Sequence, residues 1–414
     1  MKRLINPTKR VLISCSTLAV VGVLAHGTFS NKAAAEDPPV VPTCASLNLA
    51  NPVYLTGSSA VSTVVAQLGP KLAAATTPTS LVYIKGGSCD GVNSVVGNFT
   101  LTGTATYWTA GGLAAGASCT LSAQKATVGL SDVFPTSCPE VTTASLAGVG
   151  DFAGPVQAMN FVVPIAATQN AISAEAGYLL VGFGAQSETD WSNPALYAFR
   201  NFQSGTETML AKAINVPTSK WPTAADKGGS GGVVTAIASP TGAADATIGI
   251  LASNEADNNR DKIKRLAFKG YGQECAFYPD STYSSKDKLN VREGHYAVWG
   301  PLHMLTKVDA NNVPTSAVAK GFLDVLSGAA VVDGVDPVDL EIAANTVPQC
   351  AMKVKRTSEV GPISSYAPSG ACGCFFDKKV GGDASACVAC TAENAATKCV
   401  GSTKVCSHGY CEVK

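Results

Sequence analysis

Arg200 stands four residues ahead of Ser204-Gly205-Thr206, a spacing that sets a permanent cation beside a turn carrying two hydroxyls. The turn opens an apolar-periodic stretch, Met209, Leu210, Ala213 and Ile214. Ser204 followed by Glu207 reads as a capping box, so a helix is predicted to start there. A helix start offers free N–H groups and about half a positive charge. With an arginine and hydroxyls added, such a set can hold a tetrahedral oxyanion. The plain alternative is a capped surface helix with a solvated arginine, and other segments must decide between the two.

Two of them repeat the logic. Val53-Tyr54-Leu55-Thr56 runs into Gly57-Ser58-Ser59 and then Val61, Val64, Val65 and Leu68 at helical spacing. Leu81-Val82-Tyr83-Ile84 runs into Gly86-Gly87-Ser88 and then Val92, Val95 and Val96. Both read as strand, Gly-Ser turn, helix; glycine lets a backbone approach a ligand, and serine caps the helix or donates outward. In open α/β sheets such turns lie at the carboxyl ends of strands, where ligands bind. A further strand, Val128-Gly129-Leu130-Ser131, ends in Asp132. A carboxylate in an anion site repels its ligand unless the ligand has a proton to donate. Hydrogen phosphate has one and sulfate at neutral pH has none, so Asp132 can filter between them.

These turns need a scaffold. From about residue 44 to 350, strand-like runs alternate with helical periodicity, the α/β pattern. Strands are predicted at Val53 to Thr56, Leu81 to Ile84, Ala126 to Leu130, Phe161 to Ala166, Tyr178 to Phe183 and Thr247 to Leu251. Ala224 to Ala246, rich in small residues, is predicted to mix loop and a short helix. Its Gly228-Gly229-Ser230-Gly231-Gly232 lacks a following lysine, which excludes a nucleotide P-loop. Arg260-Asp261-Lys262-Ile263-Lys264-Arg265 reads as a solvated helix face, and Tyr278, Tyr283, Tyr296 and Trp299 as core.

Taken in order, Gly57-Ser58-Ser59, Gly87-Ser88, Gly129-x-Ser131-Asp132 and Arg200-x-x-x-Ser204-Gly205-Thr206 resemble the periplasmic phosphate-binding proteins of ABC uptake systems and, more loosely, the type II solute-binding fold. The resemblance covers about residues 50 to 310. Gln157 to Ala166 is similar to the strand entering the second lobe, and Tyr296-Ala297-Val298-Trp299-Gly300-Pro301 to the strand returning to the first. It implies an α/β, two-lobe type II fold over 44–350, the second lobe at approximately 165–295. It further implies that Ser59 and the amide of Ala60, Ser88, Asp132, Arg200, Ser204, Gly205 and Thr206 surround inorganic phosphate or a related oxyanion. Asp132 would accept the ligand's proton, and closure of the lobes would signal to an ABC transporter permease. The chain departs from the pattern at Ala60, where relatives often carry a hydroxyl. It departs again at Cys89-Asp90-Gly91, where Asp90 either caps its helix or faces the cleft and opposes an anion.

Compartment follows from the first residues and the cysteines. Residues 1–35 read as a secretory signal: Lys2, Arg3, Lys9 and Arg10, an apolar run from Val11 to Phe29, then Ala33-Ala34-Ala35. Residues 36–43, with three prolines, read as a linker. Five of the thirty basic residues and none of the thirty acidic ones lie in the signal, so the exported chain carries a net charge of −5. That argues against nucleic acid and anionic membrane surfaces as partners. Export to the periplasm, outside or the cell surface as a monomer is expected. Fourteen cysteines in such a chain read as disulfides. Without Cys15 thirteen remain, so one thiol is free or pairs between molecules. Cys89 has Cys44, Cys119 or Cys138 as possible partners.

Residues 372–414 contain seven cysteines and little apolar material, which predicts a cross-linked module. Zinc through Cys-x-x-Cys and His408 is the alternative to disulfides there. Residues 351–371 read as a second linker. His295 and His303 are expected to pack or hydrogen-bond, not to catalyse. No metal cluster, cofactor motif or nucleophile is apparent, so a binding protein is expected, not an enzyme. The competing reading is an extracellular interaction protein on the same fold, its cysteine-rich tail the anchor or adhesive part.

Overall fold

The strands that end at Ser58 and Ser131 are buried along nearly their whole length, because helices cover them. The computed structural model describes residues 40–413 except 98, 113, 114, 140, 188, 402 and 403; the expected signal segment lies outside them. The strands of the first lobe are β1 (Val53–Ser58), β2 (Leu81–Gly86), β3 (Thr100–Tyr107), β4 (Ala117–Lys125) and β5 (Val128–Ser131), with β6 (Val149–Pro164) crossing to the second. Then come β7 (Ala171–Ser173), β8 (Tyr197–Ala198), β9 (Ile248–Ala252), β10 (Ile263–Arg265) and β11 (Ala267–Lys269). The last of the set, β12 (Trp299–Lys307), returns to the first lobe. The helices that matter for the site are α1 (Ser62–Ala73), α2 (Ser88–Val96), α3 (Ala174–Phe183), α4 (Gly205–Ala213) and α5 (Ser230–Ala238).

β1 lies parallel to both β2 and β5, so their carboxyl ends emerge on one edge. The order across the main sheet is β4-β3-β2-β1-β5-β12-β6-β9-β8, with β10 paired to β6. β6 makes this one sheet out of two. Its first part pairs antiparallel with β12 from Val149 to Ala158. Its last residues pair with β9 from Met159 to Val162 and with β10 from Val162 to Pro164. The result is a two-lobe α/β fold joined through β6 and β12. One core lies behind β1, β2 and β5, with Val53, Leu55, Leu68, Tyr83 and Leu130; a second, around Phe161, Tyr197, Phe199 and Trp299, runs into the other lobe.

Two expectations fail and one element goes unpredicted, each for a physical reason. Tyr178 to Phe183 is not a strand but the end of α3, because Ser173 caps the helix by accepting from the Ala176 N–H at 3.1 Å. A short apolar run carries no period that separates the two. The β3–β4 hairpin was not foreseen, since its apolar residues are spaced by Thr, Gly and Ser along an exposed edge. The basic run 260–265 is no solvated helix face. It enters β10, and Arg265, 1% exposed, joins Arg260 and Lys288 around the buried carboxylates of Asp257 and Asp280. Burial opposes ionisation of Asp257, but Lys288, Arg265 and Arg260 outweigh it and hold its carboxyl below the usual range.

Six disulfides join Cys44–Cys119, Cys89–Cys138, Cys350–Cys372, Cys374–Cys387, Cys390–Cys406 and Cys399–Cys411. Cys275 is the free thiol among the described residues. The sulfurs of Cys390, Cys399 and Cys411 converge, yet each is already bonded to another sulfur, so they offer no thiolate to zinc. Bridges at this density fit folding in an oxidising compartment. No helix among the described residues is long and apolar enough to cross a membrane.

Residues 351–371 do not behave as a linker. Ala351, Met352, Arg356 and Glu359 are buried against the lobes. Beyond them, Asp377 pairs with buried Arg292, whose guanidinium also lies 4.8 Å from the Phe376 ring. The tail is thus seated on the body by charge, ring and disulfide contacts together.

Replacing Asp280 by alanine should be expensive, because it strands Arg265 and Lys288 beside a single remaining carboxylate. A loss of about 3–5 kcal/mol is expected from breaking such a buried pair, read as a lower denaturant midpoint. A change below 0.5 kcal/mol would show that the cluster adds nothing.

Candidate functional site

Ser59, Ala60, Ser88, Asp132, Arg200, Ser204, Gly205 and Thr206 all line one cavity of roughly 140 Å³, together with Ser58, Gly86 and Gly87. No water-sized sphere fits within that space, so the two lobes meet tightly over these groups. The first lobe contributes the ends of β1, β2 and β5. The second contributes the segment from the end of β8 into the first turn of α4.

Each lobe positions its groups by local rules. Ser204 is the N-cap of α4, its hydroxyl accepting from the Glu207 N–H at 3.4 Å. The amides of Gly205 and Thr206 therefore stand in the first turn, where no intrahelical acceptor exists. Gly205 must be glycine: an added Cβ would lie 2.3 Å from the Ser88 hydroxyl across the cleft. At the start of α2, Asp90 accepts from the Gly87 N–H at 2.7 Å, so this carboxylate caps its helix. Cys89–Cys138 ties α2 to the chain just after Asp132, and the Cys89 N–H donates to the Gln203 carbonyl at 3.0 Å across the lobes.

Asp132 is fixed from the first lobe. Ser58 donates to its Oδ2, Ser88 donates to the same oxygen at 3.3 Å, and the Asp132 N–H donates back to Ser88 at 3.0 Å. Its Oδ1 is buried without a partner. Burial raises the Asp132 carboxyl above the usual range, against the pull of the Ser58 and Ser88 hydrogen bonds and of Arg200. Oδ1 is thus an unused acceptor position on a residue that lines the cleft.

Arg200 is only 6% exposed. It makes no ion pair among the described residues. Its Nη1 donates to Ser59 at 3.2 Å and its Nε is buried without an acceptor. Burial pulls the guanidinium below its usual range, and Asp226, Asp132, Glu207 and Asp90 only partly offset that. The arginine is therefore buried with carboxylates nearby but none in direct contact with it.

One expectation needs correction. The Ala60 N–H does not point free into the cleft; it donates to the Ser58 hydroxyl at 3.1 Å, because Ser58 caps the short turn that follows β1. Ser58 was inside the Gly57-Ser58-Ser59 signature without being assigned a role, and it supports Asp132 more closely than any other group. Ser230 was also missed. It opens α5 from the glycine-rich turn and meets Ser59 across the cleft at 3.2 Å; the Gly-Ser-helix pattern of the other two turns was its signal. Asn254 donates to the Ala60 carbonyl at 2.7 Å, another bond between the lobes. His303 stands apart, hydrogen-bonded through Nδ1 to Asp151 at 2.8 Å with its ring 4.3 Å from that of Phe134.

No protein-family model matches the chain, and no curated protein matches it significantly. Among solved structures, it is similar to a candidate phosphate ABC transporter substrate-binding protein from Clostridium perfringens, solved with bound phosphate. The two are 13% identical at a TM-score of 0.50, covering 72% of this chain and 99% of that one. An ABC-type phosphate transport receptor from Vibrio cholerae is 15% identical at a TM-score of 0.46, covering 71% and 99%. A phosphate-binding protein from Stenotrophomonas maltophilia is 15% identical at 0.45, covering 72% and 91%. The fold is that of the type II periplasmic binding proteins, with a disulfide-rich C-terminal segment added. Identity this low speaks to fold alone.

Glu207 gives the site a pH signature. It is 1% exposed with Oε2 unpartnered, and burial, reinforced by Asp226, pushes its carboxyl up to about 8 against Arg200. Below about 4.5, its ordinary value, both folded and unfolded chains are protonated. Between about 4.5 and 8 the unfolded chain ionises first, so stability falls as pH rises, at up to about 1.4 kcal/mol per unit. Glu207→Gln should flatten that decline, its stability advantage over the parent growing from pH 5 to pH 8 in denaturant titrations. A constant gap would remove Glu207 as the cause.

Proposed function

We propose that the protein is exported and captures phosphate or a closely similar oxyanion between its two lobes, for ABC-type uptake or for sensing. The lobes in this reading are the 44–350 body with residues of about 165–295 as the second lobe. The observation that carries the reading is Arg200: a buried guanidinium without a carboxylate partner, set in the tight junction where the donors of both lobes converge, which an anion would enter as the lobes part. Ser59, Ser88, Ser204 and Thr206 supply hydroxyls, and Gly205 and Thr206 the first-turn amides of α4. Asp132 supplies the acceptor that suits a ligand carrying a proton. Nothing in this arrangement needs a cofactor or a metal; binding in a dry cleft is the whole chemistry. A transporter permease reading the closed lobes, in the periplasm or at the cell surface, completes the proposal.

A second reading draws on the tail, where Val388, Val400 and Val413 are 41–68% exposed. Such residues on a disulfide-bridged segment suit contact with another macromolecule. Removing residues 388–414 takes out two whole disulfides, Cys390–Cys406 and Cys399–Cys411, and leaves the others intact. Loss of cell-surface retention with unchanged anion binding would assign the tail that role.

Calorimetric titration of the stripped protein with phosphate and with sulfate tests the main reading. Phosphate binding with little or no sulfate binding is expected. Equal binding of both would keep the cleft and discard the proton filter; binding of neither would discard the function. Arg200→Ala should weaken phosphate binding on the order of 100-fold or more, since hydrogen bonds to a charge contribute ~1.5–3 kcal/mol each. Its melting temperature without anion should change little, because the buried guanidinium has no ion pair to lose and only one side-chain hydrogen bond, to Ser59.

A further inference from the structure

The Asp132 turn is held from behind by a residue that lies beyond the expected two-lobe body. Both carboxyl oxygens of Glu359 accept from the Phe134 N–H at 3.1 Å, and Ser137 donates to one of them. Phe134 follows Asp132 by two residues, and Ser137 closes the short helical turn that leads to the Cys89–Cys138 bridge. Glu359 is itself buried, and burial raises its carboxyl above the usual range.

The segment carrying Glu359 is fastened on each side of it. Arg356 lies over the Trp299 ring at 4.0 Å and donates to the carbonyls of Ala297 at 2.9 Å and Trp299 at 3.1 Å, the residues that lead into and begin β12. On the other side, Val360 lines a cavity with Ser137 of the first lobe and Thr208, Lys212 and Asn215 of the second. Val360 holds φ at +55°, a backbone conformation that a β-branched residue adopts only where its surroundings demand it. At Gly300 the parts meet: an added Cβ would lie 3.1 Å from Met209 of α4, 3.5 Å from the Asp132 carbonyl and 3.9 Å from Glu359. The crossover strand, the Asp132 turn and the Glu359 carboxyl therefore pack closely around this one position.

We infer that Glu359 is a positioning residue for anion selectivity: from the segment after the body, it holds the turn that aims Asp132 Oδ1 into the cleft. This rests on the oxyanion reading of the site. The consequence is specific to selectivity because Asp132 acts on the two anions with opposite sign. Held forward, its oxygen accepts a proton from hydrogen phosphate and repels sulfate. Released, it loses the first interaction and relaxes the second.

The test compares full-length parent, Glu359→Ala and Glu359→Gln by phosphate and sulfate titration, with hydrogen exchange of residues 132–138 measured alongside. Glu359→Ala should weaken phosphate binding about tenfold or more and lower the preference for phosphate over sulfate by at least that factor. Glu359→Gln keeps an oxygen for the Phe134 N–H and an amide to donate to Ser137, and should recover the preference to within a few fold. Exchange at 132–138 should quicken in the alanine variant and stay unchanged in α1. An unaltered preference in Glu359→Ala, even with a lower melting temperature, overturns the inference, as does unaltered exchange. If the parent binds neither anion the oxyanion reading fails and the selectivity role falls with it, while the exchange data still decide whether Glu359 holds the turn.

Discussion

A guanidinium taken out of water without a counter-charge is the constraint around which this structure is arranged. Burying Arg200 costs free energy that the carboxylates around it only partly return. The remaining deficit is what an anion would supply. Everything nearby keeps the cation dry and the donors aimed: the cap at Ser204, the glycine at 205 that admits Ser88, and the interlobe bonds from Asn254 to Ala60 and from Cys89 to Gln203. In the proposed reading, opening the lobes would return water to Arg200, so anion occupancy and closure of the cleft would be coupled by electrostatics.

Such a site needs two rigid bodies on a narrow connection. β6 and β12 provide the connection, each running on from one lobe into the other's neighbourhood. Rigidity comes from different sources on the two sides. In the first lobe, Cys44–Cys119 and Cys89–Cys138 brace the sheet edge and the α2 turn. In the second, three cations around Asp257 and Asp280 lock the far end of β10 to the loop carrying Lys288. Buried clusters of this kind are weak evidence for net stability, but they fix one geometry. The stretch from Arg356 to Val360 then crosses the junction, which makes the chain after the body part of the site's support.

Local chemistry was legible where one segment contains its own explanation. The capping residues at Ser204 and Ser173 act within three residues, yet only the first was read, because the apolar run after Ser173 also fits a strand. The Gly-Ser turns after β1 and β2 were readable since strand, turn and helix follow one another directly. The charged run 260–265 misled for the converse reason: its partner Asp280 lies 15 or more residues away, and sequence does not show that the two meet. Residues 351–371 looked like a linker because their few anchors, Arg356 and Glu359, are charged, and charge alone suggests solvent.

The sequence by itself determined the donor types, their order and the α/β alternation that brings strand ends to one edge. Those properties follow from hydrophobic period and turn residues, which act over a few positions. Only the tertiary structure decided that the Ala60 amide is spent on Ser58, that Ser230 reaches Ser59, and that Glu359 supports the Asp132 turn. Each of these depends on which hydrogen-bond partner is nearest in space, and burial leaves a donor or acceptor no water to fall back on.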